Sequence, residues 1–315
     1  MVALWQRRHP ETGRRGGAPC PRQWLSRTLS WICVGTVLLA LAAGCGKPQP
    51  AAGSPAVAQF TKILGHAPTG LALRIAQRGE MVVANDADYA PFSRLNDQHQ
   101  MVGFDVDVAS AVAKALRLKL RQFQPGWDAV ALGLQTGRWD VAIDSMTPTA
   151  GRKKSLSFTG AYYWAPRQVL ILKGHPAIES AADMAGKTIG CAAQSTAATY
   201  LSGLAGVRVK TYTSDLDGIP DLKSGRLDGL IMSTPVELRL IAAGEPMRVT
   251  GPPLWYEAAA FGVRQDEADW LAVLGWALQT LRQDGTLARY STADVYGVDL
   301  TKAPPAGARV IGGRQ

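Results

Sequence analysis

The chain has 315 residues, 47% hydrophobic and 19% charged, a globular composition with room for two compact lobes rather than a disordered or fibrous one. Its formal charge of +9 gathers at the start, where residues 1–44 hold Arg7, Arg8, Arg14, Arg15, Arg22 and Arg27 against Glu11 alone, leaving 28 basic and 24 acidic residues, a net +4, in the remainder. With no basic run and no Lys/Arg stripe interleaved with aromatics, that remainder has no nucleic-acid footprint.

In chain order, the basic opening leads into the apolar stretch Trp31 to Ala43, then Gly44 and Cys45, the charged, apolar, small order of a secretory signal. The apolar run is shorter than the roughly 20 residues a membrane-spanning helix needs. Residues 1–44 are therefore expected to be a cleaved signal peptide. The segment Leu41-Ala42-Ala43-Gly44-Cys45 resembles the bacterial lipobox, which implies that Cys45 takes a lipid (a palmitate-bearing anchor) and becomes the new amino terminus. The Gly, Pro, Ala and Ser after it read as a flexible tether, and 45–77 as tether and lead-in. Only Cys191 remains in the body, so no intramolecular disulfide is expected.

From Met81 short apolar strands alternate with amphipathic helices, the pattern of βα units on a mainly parallel sheet. In the first such helix Val108, Ala111, Val112, Ala115 and Leu116 share a face, with Asp105 and Asp107 at its positive end. A second strand series begins near Gln168 and runs to about Met232. Trp270, Leu271, Leu274, Leu278 and Leu281 then recur at helical spacing up to Gly285, a helix stop.

The segment Gly103-Phe104-Asp105-Val106-Asp107-Val108 resembles the signature of the family 3 extracellular solute-binding proteins, which serve polar amino acid ABC importers. Further blocks follow in the family's order: Asp86 with Tyr89 to Phe92, Asp140 through Ser145 to Arg152, Gly186 to Gly190 with Ser195-Thr196, Gly225 to Asp228, and Asp284 to Thr286. The resemblance covers residues 78 to 297. It implies a two-lobed α/β periplasmic-binding-protein fold of type II, with lobe 1 built from 78–165 and 260–315 and lobe 2 from 166–259. The crossings are expected near Trp164 to Gln168 and Trp255 to Phe261. It also implies a monomer that binds a small carboxylate, partners a permease and needs no cofactor.

By the same resemblance, Arg152 grips the ligand carboxylate, for which a planar, permanently charged guanidinium is suited. Ser145 and Thr147 stand at positions that add ligand contacts, and Ser195 and Thr196 face them from the second lobe. Tyr89 and Trp127 form an aromatic wall, with Phe92 reading as core, and Asp86 stands where a basic ligand side chain is met.

The sequence departs from the family in three places. Ser233 replaces the aspartate expected five residues after Asp228, leaving a ligand ammonium without an anionic partner. Gln194 replaces a glycine, and Asp144 replaces a small neutral residue. Either Asp144 supplies the missing charge or the ligand's amino group is absent, displaced or substituted. Two rival readings share the scaffold: an enzyme similar to the periplasmic cyclic-carboxylate dehydratases, with Asp144, Asp86 or Glu257 as acid or base, and a ligand-sensing lipoprotein. The scattered histidines and the lack of a phosphate loop or a Gly-x-Ser-x-Gly elbow favour binding without chemistry.

Overall fold

Residues 54–312 are described by a computed structural model; the expected signal peptide and the expected lipid site at Cys45 lie outside the described residues. The stretch read as tether and lead-in is helical once described. Helix α1 (Pro55–Leu64) has proline in its first turn and Gly65 as a left-handed cap, and α2 (Gly70–Arg78) ends likewise on Gly79. Proline early and glycine late are helix punctuation, and Ala56 and Phe60, four residues apart, bury one face. The Pro/Gly/Ala composition hid that pattern.

Next come β1 (Glu80–Ala84), the short β2 (Asp88–Tyr89), β3 (Ser93–Leu95) and β4 (Met101–Val102), then α3 (Phe104–Ala115), β5 (Lys119–Phe123), α4 (Trp127–Gln135) and β6 (Val141–Ala142). The 17-residue β7 (Leu156–Leu172) opens the second series: β8 (Thr188–Ala192), α5 (Thr196–Ser202), β9 (Arg208–Tyr212), α6 (Ile219–Lys223), β10 (Gly229–Leu230) and α7 (Thr234–Ala242). The 18-residue β11 (Met247–Arg264) returns, followed by α8 (Ala268–Gln283), α9 (Thr286–Asp294) and β12 (Val310–Ile311).

The main sheet has the order β5-β1-β6-β11-β7-β10-β8-β9. Both outer thirds are parallel: β1 with β5 and β6, and β8 with β9 and β10. Between them β7 and β11 run antiparallel along nearly their whole lengths, with Trp255 opposite Arg167 and Glu257 opposite Ala165. The two segments expected as crossings are thus neighbours in one ladder. Gly103 lets α3 start where it does: its φ is +123° and a Cβ there would fall 2.5 Å from the Phe92 carbonyl, so only glycine fits.

The helical face expected at the end of the chain is observed: Trp270, Leu274, Leu278 and Leu281 of α8 are buried. Trp270 lies 6.0 Å from the Phe60 ring, and its Nε1 donates to the Asp140 carbonyl at 3.0 Å. Trp270→Phe is expected to cost about 2 kcal/mol, from the lost bond and lost volume. Urea unfolding should show it as a lower midpoint with an unchanged slope.

Candidate functional site

A cavity opens where the carboxyl ends of the parallel strands from both series meet, the place where open α/β sheets hold ligands. The loop after β1 brings Asp86, β2 brings Asp88 and Tyr89, α4 brings Trp127, and the segment after β6 brings Asp144, Ser145, Thr147 and Arg152. From the second series come Ala192, Ser195, Thr196, Ser214, Asp215 and Ile231, while Arg167 and Glu257 rise from the crossing strands beneath.

Nine of the ten site residues expected from the sequence line this cavity; Ser233 does not. Ser233 is fully buried, and its backbone bridges to Arg167. Phe92, expected in the core, is buried between Tyr89 and Tyr163, with ring centroids at 5.3 and 4.9 Å.

Ser145 holds a left-handed backbone, φ +52°, which a non-glycine residue keeps only when its surroundings fix it. Its amide donates to the Tyr162 hydroxyl at 2.9 Å, while its own hydroxyl donates to Asp105 Oδ2 at 2.7 Å. Tyr162 also donates to Asp105 Oδ1 at 2.6 Å. Burial pushes Asp105 up to about 7, against the pull of these hydroxyls. Asp105 is therefore an anchor beneath the wall, the structural role its helix-start position suggested.

Arg152 stacks over Trp127, 4.9 Å from the ring centroid. Its Nη1 donates to the Thr147 carbonyl at 2.9 Å and its Nη2 to the Gln194 carbonyl at 3.1 Å, so one guanidinium joins the two strand series. Burial pushes its pKa down, with Glu257 pulling the other way, and a guanidinium keeps its charge near neutral pH. Gln194, also left-handed at φ +56°, contributes that carbonyl. Its side chain is exposed and does not line the cavity, so the bulky amide expected beside the ligand is turned away. Ser195 is the N-cap of α5: its hydroxyl donates to the Ala192 carbonyl at 2.7 Å and accepts from the Ala198 amide at 3.1 Å, as capping requires.

Glu257, considered from the sequence only as an acid or base, is the best-bonded carboxylate here. It accepts from Thr147 Oγ1 at 2.9 Å, Trp255 Nε1 at 2.8 Å and Arg167 Nη2 at 2.8 Å, and also from Thr196 Oγ1. Burial works against its charge, but Arg167 and these bonds outweigh burial and hold the carboxyl below its ordinary value. A group so fully engaged is poorly placed to exchange protons with a ligand.

Asp144 is the opposite case. Its Oδ1 accepts from the Asp86 amide at 2.8 Å, while Oδ2 is buried without a hydrogen-bond partner among the described residues. Burial, then the neighbouring Asp86 and Asp105, push its pKa well above the ordinary value. Asp86 is raised too, mainly by burial. Across the cavity burial pushes Asp215 up to about 6, with Arg167 opposing. Asp215 and Arg167 went unread in the sequence; a lone arginine within the apolar run of β7 was the signal available. Among the described residues no His/Cys/Asp/Glu group could hold a metal, and no helix is long and apolar enough to cross a membrane.

Residues 81–293 match the bacterial extracellular solute-binding proteins, family 3. The chain belongs to this family. The L-cystine-binding protein TcyJ of Escherichia coli K12 is 30% identical over 236 residues, covering 74% of this chain and 88% of that protein. The L-arginine-binding protein of Pseudomonas aeruginosa is 30% identical over 227 residues, covering 67% and 88%. Among solved structures, the ancestral amino acid-binding protein AncCDT-1, a precursor of cyclohexadienyl dehydratase, superposes with a TM-score of 0.66 at 27% identity, covering 70% of this chain and 98% of that one. The two-lobed α/β architecture expected from the sequence is thus the fold of this family 3 protein.

Proposed function

We propose that this family 3 protein captures an amino acid, or a small carboxylate like one, outside the cytoplasmic membrane and hands it to the permease of an ABC importer. The two lobes, 78–165 with 260–315 and 166–259, close about the crossing strands β7 and β11, and Cys45 carries the lipid that holds the protein at the membrane. The relatives named above bind amino acids, and the match to an extracellular family accords with export.

One observation carries the reading. Arg152 lies in a cavity built from both strand series, flanked by the Ser145 and Thr147 hydroxyls on one side and the Ser195–Thr196 turn on the other. Contacts made by both walls at once are what ligand-driven closure requires. Arg152 supplies the carboxylate grip, Tyr89 and Trp127 enclose the side chain, and Asp86 and Asp144 stand in for the anion that Ser233 does not provide.

Native mass spectrometry of protein purified without denaturation should show a bound small carboxylate. Arg152→Ala is expected to weaken its binding about 100-fold, the scale of a lost charge-assisted pair, with little change in unfolding midpoint. Unchanged affinity in calorimetry would overturn the assigned grip. Steady turnover of a cyclic carboxylate by the purified protein would favour the dehydratase reading, for which the likeness to AncCDT-1 is the motive.

A further inference from the structure

The cavity lining contains two guanidiniums, Arg152 and Arg167, and five carboxylates, Asp86, Asp88, Asp144, Asp215 and Glu257. Arg167 is taken up by Glu257 in an ion pair at 2.8 Å, with both side chains largely shielded from water. That leaves Arg152 as the sole unpaired cation among the lining residues, and a ligand carboxylate would occupy it. The remaining acids would then face a zwitterionic ligand whose one ammonium cannot balance them. An uncompensated buried charge is costly, so the lining calls for more positive charge than an ordinary neutral amino acid brings.

We propose that the ligand is a net cation, with its positive charge shared between Asp144 on the wall after β6 and Asp215 on the wall after β9. This rests on the solute-binding reading above and names the substrate class. The buried Oδ2 of Asp144, without a hydrogen-bond partner among the described residues, is the acceptor such a cation would satisfy. The two acids come from different strand series, so a cation between them makes bonds that exist only when both walls meet, and it relieves the like-charge repulsion that each feels from Asp86. The groups facing Asp215 are Arg167, Glu257, the Ala192 amide and Asp86, and those facing Asp144 are Asp86, Asp105 and Arg152. Burial raises both acids; Arg167, which faces Asp215, is already paired with Glu257, and Arg152, which faces Asp144, is taken by the ligand carboxylate, so neither acid has a cation of its own. The Tyr89 ring, also in the lining, offers a π face to the same charge.

Calorimetry on the full-length body with shape-matched pairs tests this: arginine against citrulline, lysine against norleucine, with agmatine and cadaverine as the same cations lacking a carboxylate. The charged member of at least one pair is expected to bind about 100-fold more tightly than its neutral partner. Asp144→Asn and Asp215→Asn should each reduce that preference about 10-fold or more, the worth of one charged hydrogen bond. Neutral members binding as tightly as charged ones would overturn the proposal while leaving amino acid capture intact. Agmatine or cadaverine binding as well as the amino acids would uphold the cation and remove the carboxylate grip. Failure of every compound to bind would overturn both. The wild-type comparison needs no variant, so a misfolded mutant leaves the test decisive.

Discussion

Glu257→Ala is expected to destabilise the protein by about 3–5 kcal/mol, because it strands Arg167 as a buried charge without its partner. The same substitution removes the acceptor for Thr147, Thr196 and the Trp255 indole, each of which then carries its own desolvation cost. Charge and hydrogen-bond losses can be separated by adding Arg167→Met. If the stranded guanidinium dominates, the double variant is less destabilised than the sum of the two singles by about 2 kcal/mol or more. Urea unfolding of the four proteins supplies the cycle, and simple additivity would show that the pair does not hold the cavity floor.

The pH dependence gives an independent check. The Glu257 carboxyl is held below its ordinary 4.5 in the folded protein, so the pair's contribution is complete above that value and disappears as pH falls through the lower folded value. Wild type should therefore lose stability in acid more steeply than Glu257→Gln does.

The same carboxylate joins the walls of the cavity. Thr147 belongs to the wall after β6 and Thr196 to the wall after β8, and both donate to this one group on a crossing strand. Glu257 thus ties the two sides of the cavity to the ladder between them.

Much of the fold was legible because period and punctuation speak through short stretches of chain. The α8 stripe from Trp270 to Leu281 and the alternation of strands with helices needed only local spacing. Helices α1 and α2 were not legible, since proline and glycine at their ends look like linker composition until Phe60 is seen against Trp270. The first wall of the cavity was legible through its run from Asp144 to Arg152, which the fold keeps together. Arg167, Asp215 and Glu257 were harder because their roles are set by partners far off in sequence: Arg167 meets Glu257 90 residues later. A lone charge in an apolar strand signals a buried partner, and both crossing strands carry one.

Glu237→Met is expected to stabilise the protein by about 3 kcal/mol at pH 7. Glu237 lies in α7, is fully buried, and neither carboxylate oxygen has a hydrogen-bond partner among the described residues. Burial pushes its pKa from the ordinary 4.5 up to about 8, outweighing the nearby Met232 amide and the Arg167 charge. Between those values the unfolded chain has lost the proton and the folded one keeps it, so stability falls as pH rises, by about 1.4 kcal/mol per unit. Methionine is close in volume and has nothing to ionise, which removes that slope. The gap between variant and wild type should widen steadily in unfolding measurements from pH 5 to pH 8; a constant gap would mean that the carboxyl titrates as it does in water. The consequence reaches the cavity, because a glutamic acid that stays neutral near pH 7 does not compete for Arg167. Arg167 is thereby left to Glu257, and the acids of the lining that have no cation of their own, Asp144 and Asp215 foremost, are left to the ligand.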